Sequence, residues 1–519
     1  MKKQRRIPEA YPAFSKVTKV SAIGAMVVCL ASSSMPSLAV AQQAGTDGGP
    51  PAFAPGMIAH MQAMRRFKDP DQSVQQAPPI IPKFEIDNDP AGAVATFQPG
   101  GATFPANNPF FQNLGSNGRT CFSCHQPQTG WTVSAASVAA RFTHSDGTDP
   151  IFRLVDGATC PTADVSTPQA KRRAYTLLIE KGLIRIGLPM PSGVQFEVTS
   201  VNDPYSCNTN PVTGLTSPTT GIVSIYRRPL PSTNLGFLST IMFDGREPNF
   251  TSQAKDATLG HAQAKAAPTD AQLAEIVAFE TGIYTAQEID RIVGVLHRDG
   301  ALGGPVALSL QPFFIGVNDP LGNNPRGLPF TSNIFDIYRP WLSAHGDDKD
   351  DVERRLSIAG GEEVFNTTKI NITGVAGLND ALGVASLPGF CGTCHDTPNV
   401  GNHSVKAPLD IGVADAGSKS PPVLDISGLP VFTLTCKQGP LTGQVFRVTD
   451  PGRALISGQC ADIGKVKGPI LRGLASRAPY FHNGSAATLL DAVNFYDKRF
   501  GIGFTEQQKT DLVNFLNAL

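Results

Sequence analysis

Neither sign of charge prevails in this chain: Lys and Arg together number 43, and so do Asp and Glu. The balance excludes the broad basic face by which proteins hold nucleic acid or anionic membranes. Long apolar runs are also missing. The one stretch of note, Ala22 to Leu30, is soon interrupted by Ser32 to Ser34 and by Pro36, and no other segment is apolar enough to cross a bilayer. Tryptophan is scarce, with two residues, and methionine stops at Met242, so the second half of the chain has no thioether. What is plentiful is Gly (51) and Pro (43), which implies long irregular loops around a helical framework. At 519 residues the chain is too long for one ordinary domain.

The N-terminus reads as an export signal. Lys2, Lys3, Arg5, Arg6, Lys16 and Lys19 precede the apolar stretch, and Ala39-Val40-Ala41 has the small-x-small form of a cleavage site, placing the mature start near Gln42 in the periplasm. An uncleaved anchor is the alternative, and the interruptions at Ser32 to Pro36 count against it. Cysteine usage agrees with export. Apart from Cys29, four cysteines lie in two CxxCH motifs, and the rest form one pair per half. In an oxidising compartment the natural bonds are Cys160–Cys207 and Cys436–Cys460.

Composition and order divide the chain into a signal (1–41), a Pro/Gly-rich extension (42–95), a first unit (96–300), a linker (301–345) and a second unit (346–519). The two units repeat one series of motifs. Cys121-Phe122-Ser123-Cys124-His125 is followed by Phe243-Asp244-Gly245-Arg246 and a Thr-capped helical segment from Thr269. Cys391-Gly392-Thr393-Cys394-His395 is followed by Phe481-His482-Asn483-Gly484 and a second such segment from Thr505. The expected fold is mainly α, two cytochrome c-like units in tandem with long irregular loops and few short strands, the clearest at Gln195 to Thr199.

In CxxCH the two thiols add to the vinyl groups of haem, and the adjacent His binds iron. Cys121, Cys124 and His125, and again Cys391, Cys394 and His395, therefore predict two covalent haems. A zinc site would pair two CxxC units close together, whereas these lie in separate halves. The sixth ligand stays open on residues alone. After the second motif the candidates are Tyr480, Tyr496, His403 and His482; after the first they are Met190, Met242, His144 and His261.

Asn108-Pro109-Phe110-Phe111, Phe243-Asp244-Gly245-Arg246 and above all the run from Leu471-Arg472-Gly473 through Ala478-Pro479-Tyr480-Phe481-His482-Asn483-Gly484 resemble the bacterial di-haem cytochrome c peroxidase family, which includes MauG-type enzymes. The resemblance covers about residue 100 to the C-terminus. It implies an N-terminal peroxidatic haem on His125 with an open distal face, and a C-terminal haem on His395 that relays electrons. The family's sixth ligand to the latter aligns with Tyr496, where its peroxidases have Met and MauG-type enzymes have Tyr. A Ca²⁺ between the haems is usual in the family, and the resemblance places its ligands at Asn234 and at the carbonyls near Arg477 and Pro479. Phe243 stands where the family has a redox-active Trp, with Trp341 as another aromatic for the bridge. Gln253 matches the distal Gln, and Gln263 replaces the distal Glu. His261, two residues away, is either a substitute acid/base or a loop histidine. Arg246 either steadies developing negative charge or holds a haem propionate. The loop from Ile225 to Asn234 lacks the histidine that caps the peroxidatic iron in resting family members.

The leading expectation is an enzyme that reduces H₂O₂ with electrons from a small donor protein, a cytochrome c or a cupredoxin, and that forms a homodimer. The alternatives are MauG-like oxidation of a protein partner, oxygenation of an organic substrate, and plain electron carriage without catalysis.

Overall fold

The structure, a computed structural model, describes residues 77–208, 221–417 and 424–519. The expected signal with its cleavage site, Cys29, and the extension up to residue 76 lie outside the described residues. No helix among the described residues is long and apolar enough to cross a membrane.

Helix outweighs strand, with eleven α-helices and eleven short strands among the described residues. The two helices foreseen from their caps are present. Thr269 caps Asp270–Gly282 and Thr505 caps Glu506–Asn517, each hydroxyl accepting from the backbone three residues on while Gln272 or Gln508 answers the cap's own N–H. Glu506–Asn517 packs along the longest helix, Lys349–Thr367. Gly361 makes the close approach possible, because a Cβ there would stand 2.0 Å from the Asp511 carbonyl oxygen.

The strands are more numerous and more consequential than expected. Residues 84–95, assigned to the extension, form with residues 96–97 the hairpin Phe84–Asp89 and Gly92–Phe97, which pairs with Tyr284–Asp290 in a four-stranded sheet. Its alternating Val94 and Thr96 are almost fully buried, so the boundary drawn after residue 95 falls inside a core strand. The strand foreseen near Gln195 runs from Phe196 to Asn202. It pairs with Val431–Cys436, which pairs in turn with Val445–Val448. This three-stranded sheet joins the first half of the chain to the second.

The stretch 301–345 is not a free linker either. Ile334, Phe335, Ile337, Tyr338 and Trp341 are buried against Phe365 and Phe515 in one core cluster. Composition concealed this, since the Gly, Pro and Asn around these residues are turn formers while the aromatic side chains between them are core. A second aromatic cluster, built on Phe110, Phe111, Phe122, Trp131 and Phe279, surrounds the first CxxCH motif. The cysteines of the two expected pairs stand at disulfide distance, Cys160 from Cys207 and Cys436 from Cys460.

Candidate haem cavities

Each CxxCH motif folds as one tight turn. The N–H of His125 donates to the Cys121 carbonyl and that of His395 to the Cys391 carbonyl, which brings both sulfurs and the imidazole to one side. Each imidazole is then fixed by its Nδ1. That of His125 lies 2.8 Å from the Trp131 carbonyl oxygen, and that of His395 lies 2.7 Å from the Gly401 carbonyl oxygen. A proton on Nδ1 leaves Nε2 as the free lone pair, the state a metal-binding histidine needs. A phenylalanine flanks each ring, Phe110 at 6.3 Å and Phe365 at 6.2 Å. Burial pushes both imidazoles down to about 4, so they are neutral at physiological pH. The hairpin contributes to this support: the Trp131 indole N–H donates to the Thr96 hydroxyl.

Two cavities open from these motifs. The larger, about 270 Å³, is bordered by Cys391, Cys394 and His395, with Tyr496 also in its wall. Of the alternatives to Tyr496, His482 also lines this wall, and its Nε2 has no hydrogen-bond partner among the described residues. Tyr480 donates its hydroxyl to the Leu474 carbonyl, His482 turns Nε2 toward Asp450 at 3.6 Å, and His403 lies outside the wall beside Asp396. Tyr496 is held by ring contacts with Phe481, Phe495 and Phe500.

The wall of this cavity has four basic side chains, Arg228, Lys467, Arg472 and Arg477, and no carboxylate. Several of their N–H groups are buried without a hydrogen-bond partner among the described residues: Arg228 Nη1, Arg472 Nε and Nη1, and Arg477 Nε. Burial lowers the Lys467 ammonium to about 7 and the Arg472 guanidinium to about 10. Unpartnered buried cations call for an anion. The two propionates of a haem are carboxylates of the right charge, so thiols, imidazole and cations together fit haem c.

They do not fit Ca²⁺. That ion takes six to eight oxygens, carboxylates among them. Here Asn234, Arg477 and Pro479 do share the cavity wall, but the Asn234 amide oxygen already accepts the Thr285 N–H at 3.0 Å, and the wall has no carboxylate to join the carbonyls. Among the described residues no cluster of three or more His, Cys, Asp or Glu side chains could hold a metal ion.

The smaller cavity, about 150 Å³, is bordered by Cys121, Cys124 and His125. Gln253, Ala257 and His261 face it from the helix Phe250–Gly260 and its C-cap, at the i, i+4, i+8 spacing that aligns side chains on one helical face. Gln263, the aligned replacement for the family's acid, is exposed in the following turn, where its side-chain oxygen accepts from Asn117. The two-residue offset turns it off the stripe, so it is removed from the candidate site. Arg246 lines the cavity with its guanidinium already paired to Asp244 at 2.9 Å. Of the four earlier ligand candidates, His261 and Met242 border this cavity while Met190 and His144 do not. The loop 228–231 forms wall without supplying an imidazole.

Phe243 borders both cavities, as do Arg228 and Lys467. Its ring stands 5.9 Å from that of His482. Trp341 borders neither, being buried in the core with Phe365 and Phe515, its indole N–H donating to the Arg298 carbonyl. Sequence reading overlooked Arg119, Asp156, Glu280, Arg228, Lys467 and Arg472 as wall residues. Arg228, Glu280 and Arg472 stood within stretches singled out from the sequence, whereas Arg119, Asp156 and Lys467 reach the cavities through tertiary folding alone.

No family model matches the chain. Three curated proteins match it over short stretches. The cytochrome-c peroxidase IdrP1 of Denitromonas iodatirespirans is 44% identical over 69 residues, 11% of this chain and 18% of that protein. IdrP2 of the same organism is 41% identical over 78 residues, 14% and 21% of the two chains. IdrP1 of Pseudomonas sp. (strain SCT) is 35% identical over 81 residues, again 14% and 21%. The matched stretches thus span about a fifth of each relative. A solved structure of a MauG-like protein associated with microbial copper homeostasis aligns with 79% of this chain and 86% of its own, at 17% identity and a TM-score of 0.34. The curated matches support the di-haem cytochrome c peroxidase family that the motifs resemble, a family of oxidoreductases.

Proposed function

We propose that this chain is an exported, periplasmic c-type peroxidase of the cytochrome c peroxidase/MauG family, with one haem in each cavity. The observation that carries the reading is the pair of unlike cavities. Both have a CxxCH motif and an imidazole oriented through Nδ1, but the phenol of Tyr496 stands in one wall, while the other has no tyrosine and is lined by Gln253 and His261.

Cys121 and Cys124 would hold one haem with His125 as its iron ligand; Cys391 and Cys394 would hold the other with His395 and Tyr496. When bound, haem would supply the redox chemistry for peroxide reduction. The protein's part is to move protons and exclude rivals. His261 accepts a proton from H₂O₂ and returns it to the departing oxygen, so that two electrons and two further protons yield two waters. Gln253 orients the substrate, and the Arg246–Asp244 pair steadies the wall. Electrons enter from a small cytochrome c or cupredoxin at the C-terminal cavity and pass the shared wall of Phe243 and Lys467. Tyr496 favours a second reading, MauG-like oxidation of a protein partner, through the same two cavities.

The test is resting-state EPR with and without H₂O₂ on holoprotein of known haem content. The expected result is two haems per chain, one high-spin and one low-spin signal, and a prompt response to peroxide. Two low-spin signals indifferent to peroxide would instead indicate an electron carrier, with Met242 as the ligand that closes the first site.

A further inference from the structure

Nothing in the sequence links His261 to residue 156, yet the fold brings them together at the rim of the N-terminal cavity. His261 Nδ1 lies 2.5 Å from Asp156 Oδ2. The other carboxylate oxygen, Oδ1, lies 2.5 Å from Arg119 Nη1. Arg119 is itself pinned, donating from Nε to the Pro150 carbonyl and from Nη2 to the Ile151 carbonyl. Two further donors fix the backbone of His261: Asn117 Nδ2 and Arg119 Nη1 both reach its carbonyl, at 2.8 and 3.3 Å. Arg119 and Asp156 are almost wholly buried, whereas the His261 side chain keeps 40% of its exposure. Arg119, Asp156 and His261 all border the cavity that holds His125.

We infer that Asp156 is a positioning residue for His261, anchored by Arg119. This rests on the peroxidase reading and deepens it. A buried carboxylate accepts the Nδ1 proton, which fixes the tautomer with Nε2 as the acceptor and stops the ring from turning. Nε2 then faces the cavity as the base, and the carboxylate steadies the imidazolium once it has taken a proton. This is the division of labour known from the buried aspartate of serine hydrolases, here built from unrelated elements. Burial alone would raise the Asp156 carboxyl, but the Arg119 charge and the His261 contact outweigh it and hold the group ionised. The histidine reaches its place because it stands one turn beyond Ala257 on the cavity-facing stripe. Asp156 comes from a loop more than a hundred residues earlier, before the helix Pro168–Ala174.

The test uses Asp156→Asn, His261→Ala and the double variant as holoproteins. Asparagine presents an N–H to Nδ1 and drives the proton onto Nε2, so the base is lost while packing is kept. Two rates are read: reaction with H₂O₂, and association of cyanide, which enters as HCN and must also surrender its proton. Both are expected to fall by roughly 10²-fold in Asp156→Asn and in His261→Ala, with unchanged resting spectra, and the double variant should match His261→Ala. Wild-type rates in Asp156→Asn, or a double variant markedly slower than His261→Ala, would overturn the assignment. If Asp156→Asn prevents folding by leaving the buried Arg119 charge unpaired, Arg119→Gln/Asp156→Asn removes both charges and carries the same comparison. Wild-type protein inert to H₂O₂ would end the peroxidase reading, and the cyanide rates would still decide the role of Asp156.

Discussion

A phenol in a cavity wall, packed among Phe481, Phe495 and Phe500, is an expensive place for a hydroxyl unless something binds it. Iron is that partner in the proposed function. Tyr496→Phe should therefore keep both haems, because the thioether bonds are made by Cys391 and Cys394. It should also convert the C-terminal haem to a five-coordinate or water-ligated spectrum and raise its potential. Pyridine haemochrome analysis and redox titration check the two halves of this expectation. A spectrum and potential indifferent to the change would return Tyr496 to ordinary packing on the helix Leu489–Phe500. His261 shows the same scale from the other side. Its identity was legible in the chain as the one imidazole near the expected distal position, but its function depends on Asp156, and no spacing rule connects residues so far apart.

Elements decide whether these side chains are held. The hairpin 84–97 carries Thr96, whose hydroxyl accepts from Trp131, whose carbonyl in turn orients His125. A shortened chain beginning at residue 96 would lose Phe84–Asp89 and most of Gly92–Phe97, leaving Tyr284–Asp290 as an exposed edge. Such a truncation should give little soluble holoprotein and a first haem that is weakly incorporated, whereas a start near Gln42 should be benign. Yield and haem stoichiometry of the two truncated proteins distinguish an integral strand from a dispensable extension. The hairpin was hidden because Pro, Gly, Ala and Gln set the average composition of 42–95, and the short alternating run Ala93 to Phe97 was lost in that average.

At the scale of the whole molecule the halves are tied by charge as well as by the three-stranded sheet. Arg227 donates to Asp450 from the second half at 2.6 Å and pairs with Asp244 at 2.5 Å, all three almost fully buried. Burial by itself would raise both carboxyls, but the Arg227 charge outweighs it and holds them below the usual carboxylate range. A depressed folded value means the contribution is fully present above the unfolded value near 4 and is lost as pH falls through the folded one. Asp450→Asn should thus cost about 3 kcal/mol at neutral pH, by leaving the buried guanidinium half-paired. Urea unfolding of the two proteins at pH 7 and at stepwise lower pH should show the gap closing only below about pH 4. A gap that closed already well above that range would mean that another group governs the joint.

Local chemistry was readable from the chain because it needs only neighbours. CxxCH spans one turn, a Thr cap answers a Gln three residues on, and two disulfides follow from one cysteine pair per half. The order of motifs likewise showed that one series built on CxxCH occurs twice. Tertiary structure alone decided which side chains share a cavity. It set Gln263 outside and Asp156 inside, made core of the supposed linker around Trp341, and lined the space between the motifs with Arg228, Lys467, Arg472 and Arg477 rather than with ligands for Ca²⁺. The physical reason is that unpartnered charge and buried surface are properties of a closed volume, and that volume is enclosed by residues hundreds of positions apart.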